Sequence, residues 1–460
     1  MPMPAEGLIP NASGLITARM LSYLGIDRLE DLFSDVPSSI LMDKPINLGK
    51  PLTQSEVETL YSEKLERNLS IRLSFMGGGI ADHYVPPLVD ELVTNQEFYS
   101  SYTPYQPEIS QGILQALFEY QSLMAELLGM DVVNASLYDY ASALGEAGRF
   151  SVRVTKRKKV LIAKTTHPER KIVLRTYMEP LSVKIIEVGS EDNGEVSLDE
   201  LSANMDEDVA MVYIETPNFF GVVERRVEEV AAIAHSKGAL LVVGTDPLLA
   251  GLVKPPGELG ADVVVGEGQH LGGYMSYGGP SLGIFAVKRS FRYIRQLPGR
   301  LIGMTKTVDG SYRGYTMVLQ TREQHIRQEE ATSNITTNSS LMAVRAAIYL
   351  ALLGPDGIRS VAEKILYNTE YLKRKIGALP CFNILFEDSL HFKEIPTVSE
   401  VTWGEVNNWL LRNGVLGAFQ VSRLFPEIDS TGKLGLLSTT EKHRLTDLDL
   451  LIGLMREVCE

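Results

Sequence analysis

The sequence predicts an α/β protein, with a mostly parallel sheet in a large domain followed by a smaller C-terminal α+β domain. Three observations carry this. Between about 158 and 290, short runs of Val, Ile and Leu alternate with segments of helical periodicity. The runs are continuous rather than alternating in polarity, which is the pattern of strands covered on both faces by helices. At 460 residues the chain also exceeds the roughly 250 to 300 at which a single core stops growing, so more than one structural region is required.

Residues 1–70 carry helical patterning with charged punctuation, at 26–33 and 54–69, and predict an N-terminal arm. From about 75 the texture changes to Gly, Pro and Tyr-rich loops, MGGGIADHYVPP at 76–87 and YSSYTPYQPEISQG at 99–112. Their prolines exclude continuous helix, and loops so rich in aromatics are candidates for lining a site. The strands then follow in series: KVLIA, SVKIIEV, VAMVYIE, ALLVVG and ADVVVGE, with predicted helices at 169–177, 198–205 and 227–237. Gly238 stands where a helix-ending glycine is expected. In open α/β sheets ligands bind beyond the carboxyl ends of the strands, so the loops after these runs are where chemistry is expected. A helix at 345–353 leads into shorter elements, placing a large domain at 71–340 and a small one at 341–460.

Composition narrows the function classes. A net charge of −14 argues against nucleic acid, which needs a basic face to displace counterions. The basic run 153–159 reads as a solvated helix end entering a strand. No stretch of about 18 uncharged apolar residues suggests a membrane span. The first twenty residues lack the parts of a secretory signal, which predicts a cytoplasmic chain. Cys381 and Cys459 are the only cysteines and predict reduced thiols, and the seven histidines are too scattered for a metal site.

Motif tests are mostly negative. The segment 266–272 lacks the third glycine of a dinucleotide fingerprint and runs into GGYMSYGGP instead of a helix. There is no phosphate loop, no HExxH and no GxSxG elbow. The distinctive run is LQTREQHIRQEEATSNI at 319–335. Its Arg322, His325 and Arg327, followed by Thr332, Ser333 and Asn334, offer charge-assisted donors and hydroxyls for an anion, and composition equally allows an exposed charged helix with a polar cap.

That run, with Ile9-Pro10-Asn11, YTPYQPEISQG, NASLYDYASALGEAG, GEGQ…YGGP and PGRLIGMT, resembles the P-protein family of the glycine cleavage system. Within that family the resemblance is to subunit 1 of the two-subunit glycine dehydrogenase (decarboxylating). The resemblance spans nearly the whole chain and implies a fold type I pyridoxal-phosphate-dependent transferase-like architecture. It further implies a complex that decarboxylates glycine and passes the aminomethyl group to the lipoyl group of the H-protein. The implied partner is a lysine-bearing subunit 2, in a two-plus-two heterotetramer.

The cofactor makes a demand on the sequence: a Schiff-base lysine and an acid for the pyridinium nitrogen. Counted forward from the Pro-Gly-x-x-Gly-x-Asp stretch at 256–262, the lysine position falls on His270; counted back from Gly279-Pro280, it falls on Gln269. The forward count puts the acid at Val243, three residues before Asp246. Lys254 and Lys288 are the nearest substitutes and both sit off the expected position. The resemblance therefore implies no catalytic residue on this chain and pyridoxal phosphate held by the partner, at the interface.

Thr332, Ser333 and Asn334 are expected to meet the partner's cofactor phosphate. Tyr102, Tyr105, Gln106 and Glu108 are expected to line the glycine pocket or lipoyl channel, with Arg322, His325 and Arg327 holding a carboxylate or bracing the loop. Glu330 stands where relatives often carry lysine, Thr336 where cysteine is common and His270 where proline is common. Two other readings are a docking subunit with no side chain in the active site, and a stand-alone enzyme with an atypical lysine.

Overall fold

The computed structural model describes residues 11, 13–42, 46–99, 103–335 and 339–460. The chain divides into two compact units, residues 1–69 and 70–460. The first contains helices Gly14–Leu24 and Gln54–Leu65 and a 3-10 turn Leu29–Phe33. Thr53 and Glu56 form a reciprocal capping box at the second helix, and Gly25, at φ 70°, ends the first. None of its described side chains is buried: Leu15, Tyr23 and Leu48 are 75, 92 and 87% exposed. This stretch builds no core of its own.

The second unit is organised around a seven-stranded sheet. Its strands, in chain order, are β1 (Val132–Val133), β2 (Lys159–Ala163), β3 (Lys184–Val188), β4 (Val209–Thr216), β5 (Leu240–Thr245), β6 (Val263–Glu267) and β7 (Gly283–Val287). The spatial order is β1-β7-β6-β5-β4-β2-β3, parallel except where β7 runs against β6 and β1. Strict alternation sends each strand's apolar residues into two layers. Leu161, Val212, Ile214, Leu241, Val243 and Val264 join the layer formed with helices Gln111–Leu128, Val227–Ser236 and Ser340–Gly377. Val160, Ile162, Met211, Tyr213, Val242 and Val265 join the layer formed with helices Tyr140–Thr155 and Pro168–Met178. This double covering is what the continuous apolar runs predict.

A second, four-stranded antiparallel sheet is built from the C-terminal part: Phe382–Ile384, Glu394–Ser399, Leu434–Ser438 and Phe419–Gln420. It packs on Trp403 and helix Leu445–Cys459. Gly435 makes this close: a Cβ there would stand 2.5 Å from the Trp403 ring. Leu73 and Ser74 pair with Val415 and Leu416, so the chain touches this region before building the large sheet.

Helix Ser340–Gly377 is long and apolar enough, by composition, to cross a membrane. It is broken at Gly354, whose φ of 61° and ψ of −175° precede Pro355, and its residues Ala343, Val344, Ala346, Ala347 and Leu350 lie in the core. A core helix meets the same length and hydropathy criteria.

The cysteines depart from the expectation. Cys381 and Cys459 form a disulfide across 78 residues with a Cα–Cα distance of 5.6 Å. Spacing along the chain could not reveal this, because the contact is made by packing the last helix beside the strand at 382–384. Closing a loop of this length restricts the unfolded chain and contributes on the order of 2–4 kcal/mol. Reduction, or Cys381→Ser with Cys459→Ser, is expected to lower the urea midpoint of unfolding without changing the far-ultraviolet circular dichroism of the native chain.

Candidate functional site

The carboxyl ends of β2, β4, β5 and β6 converge on one edge of the sheet, opposite the amino end of helix Tyr140–Thr155. An open cavity of about 420 Å³ lies there, lined among others by Tyr140, His167, Arg170, Glu267, Gln269 and Ser281. Behind it, a pocket of only about 40 Å³ is bounded by Asp246, His270, Lys393 and Glu394.

Each side chain owes its place to a local feature. Asp246 follows the last residue of β5 and caps the short helix Pro247–Ala250, accepting from Leu248 N at 2.9 Å. Its other oxygen meets Lys393 Nζ at 2.5 Å and His270 Nδ1 at 3.1 Å, and Lys393 Nζ lies 3.2 Å from the same His270 nitrogen. All three are buried. Burial alone would raise the Asp246 carboxyl, but Lys393 and His270 hold it well below the usual range. Next along the chain, Glu394 accepts from the Gly78 and Gly79 amides at 3.0–3.1 Å. Those amides belong to the glycine-rich loop, and a Cβ on Gly77 would collide with the Glu394 carboxylate.

On the other wall, Arg170 stacks 3.6 Å above the Tyr140 ring and pairs with Glu215 at 3.0 Å. Burial disfavours its charge, but Glu215 more than offsets that and holds the guanidinium charged. Tyr213 donates to Glu215 at 2.8 Å and lies 3.2 Å from the Tyr140 hydroxyl. His83 Nδ1 meets Glu441 at 2.9 Å, and its ring lies 5.0 Å from that of His270.

The residues expected from sequence separate into groups. Gln269 and His270 follow β6 after Gly268, at the expected edge. Val243 lies inside β5 with its side chain in the core, so the acid that β5 presents is Asp246. The count along the chain missed it because it carried no knowledge of where the strand ends. Lys254 pairs with Glu228 on the surface, and Lys288 follows the antiparallel β7 and so emerges at the opposite edge.

Tyr105, Arg322 and His325 gather elsewhere, around two residues the sequence reading passed over. Arg300 donates to Tyr105 at 2.7 Å and to Glu323 at 2.9 Å, and the His325 ring meets Tyr105 edge-on at 5.6 Å. Arg322 donates to the carbonyls of Leu297, Gly299 and Leu319, which is bracing. Arg327 pairs with Glu330 on the surface, and Gln106 and Glu108 are exposed. Thr332 is half-buried, Asn334 is exposed and accepts from Gln324, and Ser333 is buried with its hydroxyl accepting from Ile335 N. Tyr102 and Thr336 lie outside the described residues. None of the Tyr105–Glu108 or 322–334 candidates is among the residues lining the two strand-end cavities.

The model of the glycine cleavage system P-protein family matches residues 11–449. The chain belongs to that family. It is 46% identical to the probable glycine dehydrogenase (decarboxylating) subunit 1 of Staphylothermus marinus, over 99% of both chains. The protein of the same name from Thermococcus kodakarensis is also 46% identical, over 98% of both. A crystal structure of glycine decarboxylase (P-protein) in inhibitor-bound form superposes with a TM-score of 0.86 at 40% identity, covering 97% of this chain and 98% of that one. A sphingosine-1-phosphate lyase of Burkholderia pseudomallei shares the fold, with a TM-score of 0.63 at 14% identity over 91% of this chain and 92% of that one. The fold of this P-protein family member is thus the fold type I pyridoxal-phosphate architecture.

Pyridoxal phosphate does not fit the inner strand-end pocket of this chain, against Asp246. No lysine stands among residues 268–280 after β6, Asp246 already has a cationic partner, and the pocket beside it has room for a few waters and not for a pyridine ring.

The buried histidines make stability depend on pH. Burial, helped by Lys393, lowers His83 to about 4; burial and Arg170 lower His167 to about 3; burial and Lys373 lower His391 to about 4. Below about 6.5 the unfolded chain binds protons that the folded one refuses, so their stabilisation is full above that value and lost as pH falls towards 4 and 3. Urea unfolding is expected to weaken between neutral pH and about pH 5, by up to about 1.4 kcal/mol per pH unit for each histidine. Asp246, held low, contributes above the unfolded carboxyl value and is lost only in stronger acid.

Proposed function

We propose that this chain is the non-catalytic subunit of a glycine dehydrogenase (aminomethyl-transferring, decarboxylating). In this reading the assembled complex takes glycine, releases carbon dioxide and transfers the aminomethyl group to the lipoyl group of an H-protein. Pyridoxal phosphate, which supplies the electron sink, is held by a lysine-bearing subunit 2. The observation that carries the reading is the strand-end position after β6, where this member of the family has Gln269 and His270 and no lysine. A chain with the fold and no nucleophile serves a site on another polypeptide.

The surface supports an assembly. The arm carries Leu15, Met20, Tyr23, Leu24, Ile40 and Leu48 more than half exposed, an apolar load that in a folded protein marks a surface to be covered. Two copies of each subunit form the proposed complex, with the cofactor at the interface. Thr332 and Asn334 are the members of the 331–335 loop free of the core, and Ser333 contributes by holding the loop's shape. Tyr105, presented by Arg300, and the exposed Gln106 and Glu108 form the proposed wall of the glycine pocket or lipoyl channel. A cytoplasmic setting belongs to the same proposal.

The deciding experiment co-expresses the chain with the lysine-bearing subunit and measures glycine-dependent carbon dioxide exchange, omitting each subunit in turn. Activity is expected only with both, and exchange by this chain alone would sink the proposal. In the assembled complex, Thr332→Val and Tyr105→Phe are each expected to lower turnover at least about tenfold, roughly the loss of one positioned hydrogen bond to a charged group. Full turnover with both changes would instead support a purely docking role.

A further inference from the structure

A fold type I site holds its cofactor by two ionic ends, a pyridinium nitrogen on an acid at a strand end and a phosphate at the amino end of a helix. Both places exist in this chain, and both are filled from within. At the first, Lys393 Nζ sits 2.5 Å from Asp246 and is 3% exposed as a residue. To bring it there the backbone turns left-handed, Lys393 having a φ of 70°, a conformation side chains other than glycine's rarely adopt. Its amide donates to Thr369 Oγ1 at 3.1 Å, which keeps that conformation.

At the second place, Glu267 ends β6 and turns towards the first turn of helix Tyr140–Thr155, where the helix dipole favours an anion and Asp139 already caps the Ser142 amide at 2.7 Å. Its carboxylate accepts from Tyr140 N at 3.3 Å, Gln269 N at 2.9 Å, Leu282 N at 3.2 Å and the Ser281 hydroxyl. A buried carboxylate with four donors has no need of a further cation, and it repels any phosphate approaching the same amides.

We propose that Lys393 and Glu267 are built-in counter-charges, one replacing a pyridinium on Asp246 and the other a phosphate at the helix end. They fill this subunit's own inner pocket and lock its two sheets together. The missing lysine is then not the main reason the cavity takes no cofactor. Restoring it leaves both ionic ends occupied. The lock follows from the same placement, since Lys393 immediately precedes the small-sheet strand 394–399 while Asp246 immediately follows β5 of the large sheet.

The test uses the full chain, and its readouts are pyridoxal phosphate bound at equilibrium dialysis and the visible absorbance of bound cofactor, so neither glycine nor the partner enters. The wild type, Gln269→Lys and His270→Lys are expected to bind no stoichiometric cofactor. Adding Lys393→Met and Glu267→Thr to either lysine variant is expected to tighten binding at least about tenfold. Stoichiometric uptake by a lysine variant alone overturns the proposal, as does a folded charge-stripped variant that binds no better. Should the charge-stripped chain not fold, a second measurement decides. Lys393→Met is expected to lower the melting temperature, and Asp246→Asn in the same chain to recover most of the loss. An unchanged melting temperature, or no recovery, overturns the lock.

Discussion

Asp246 and Lys393 stand 147 residues apart in the chain and share one buried contact. Removing two charges from water is costly, and a pair is tolerated only when geometry and further hydrogen bonds repay that cost. Here His270 supplies a second contact to the same oxygen, Leu248 N occupies the other, and Thr369 fixes the backbone that delivers the lysine. The pair decides how the second sheet meets the first. From it follow the position of Glu394 against the glycine-rich loop, the narrowness of the inner pocket and the burial of His83 and His270.

Around that pair, the strand-end edge has two characters. The inner pocket is closed by charge, whereas the outer cavity remains open and is walled by Arg170, Tyr140 and the loop through Tyr274 and Tyr277. The remaining candidates, from Tyr105 to the 331–335 loop, are held by Arg300, Glu323 and Arg322 away from both cavities. An enzyme acting alone would gather such groups around its own acid. Their dispersal, with the exposed apolar arm, suits a subunit whose contribution is made across an interface.

How much was legible in the sequence varies with the range of the interaction. The sheet was legible because its central strands are buried on both faces, and Gly238, at φ 69°, marks a helix end as expected. Gln269 and His270 were singled out by counting from the 256–262 stretch and back from Gly279-Pro280, and the structure places them just beyond the end of β6. Asp246 and Glu267 carried the same signal, an acid just after or at the end of a strand, and a fixed count along the chain obscured the first. Nothing local marks Lys393, Glu394 or Arg300. The disulfide was misread for the same reason, its two cysteines becoming neighbours only when the last helix packs.

The sequence by itself determined the family, the doubly covered parallel sheet and the absence of a lysine after β6. These rest on residue identity and on periodicity within a few residues, where local sterics and burial act directly. Only the tertiary structure decided what stands in the cofactor's place. That is set by which charges from distant segments meet at low dielectric, a matter of packing between two sheets. The lysine absent at 269 and 270 therefore has a counterpart that spacing could not supply, an ammonium brought from position 393 to the acid at 246.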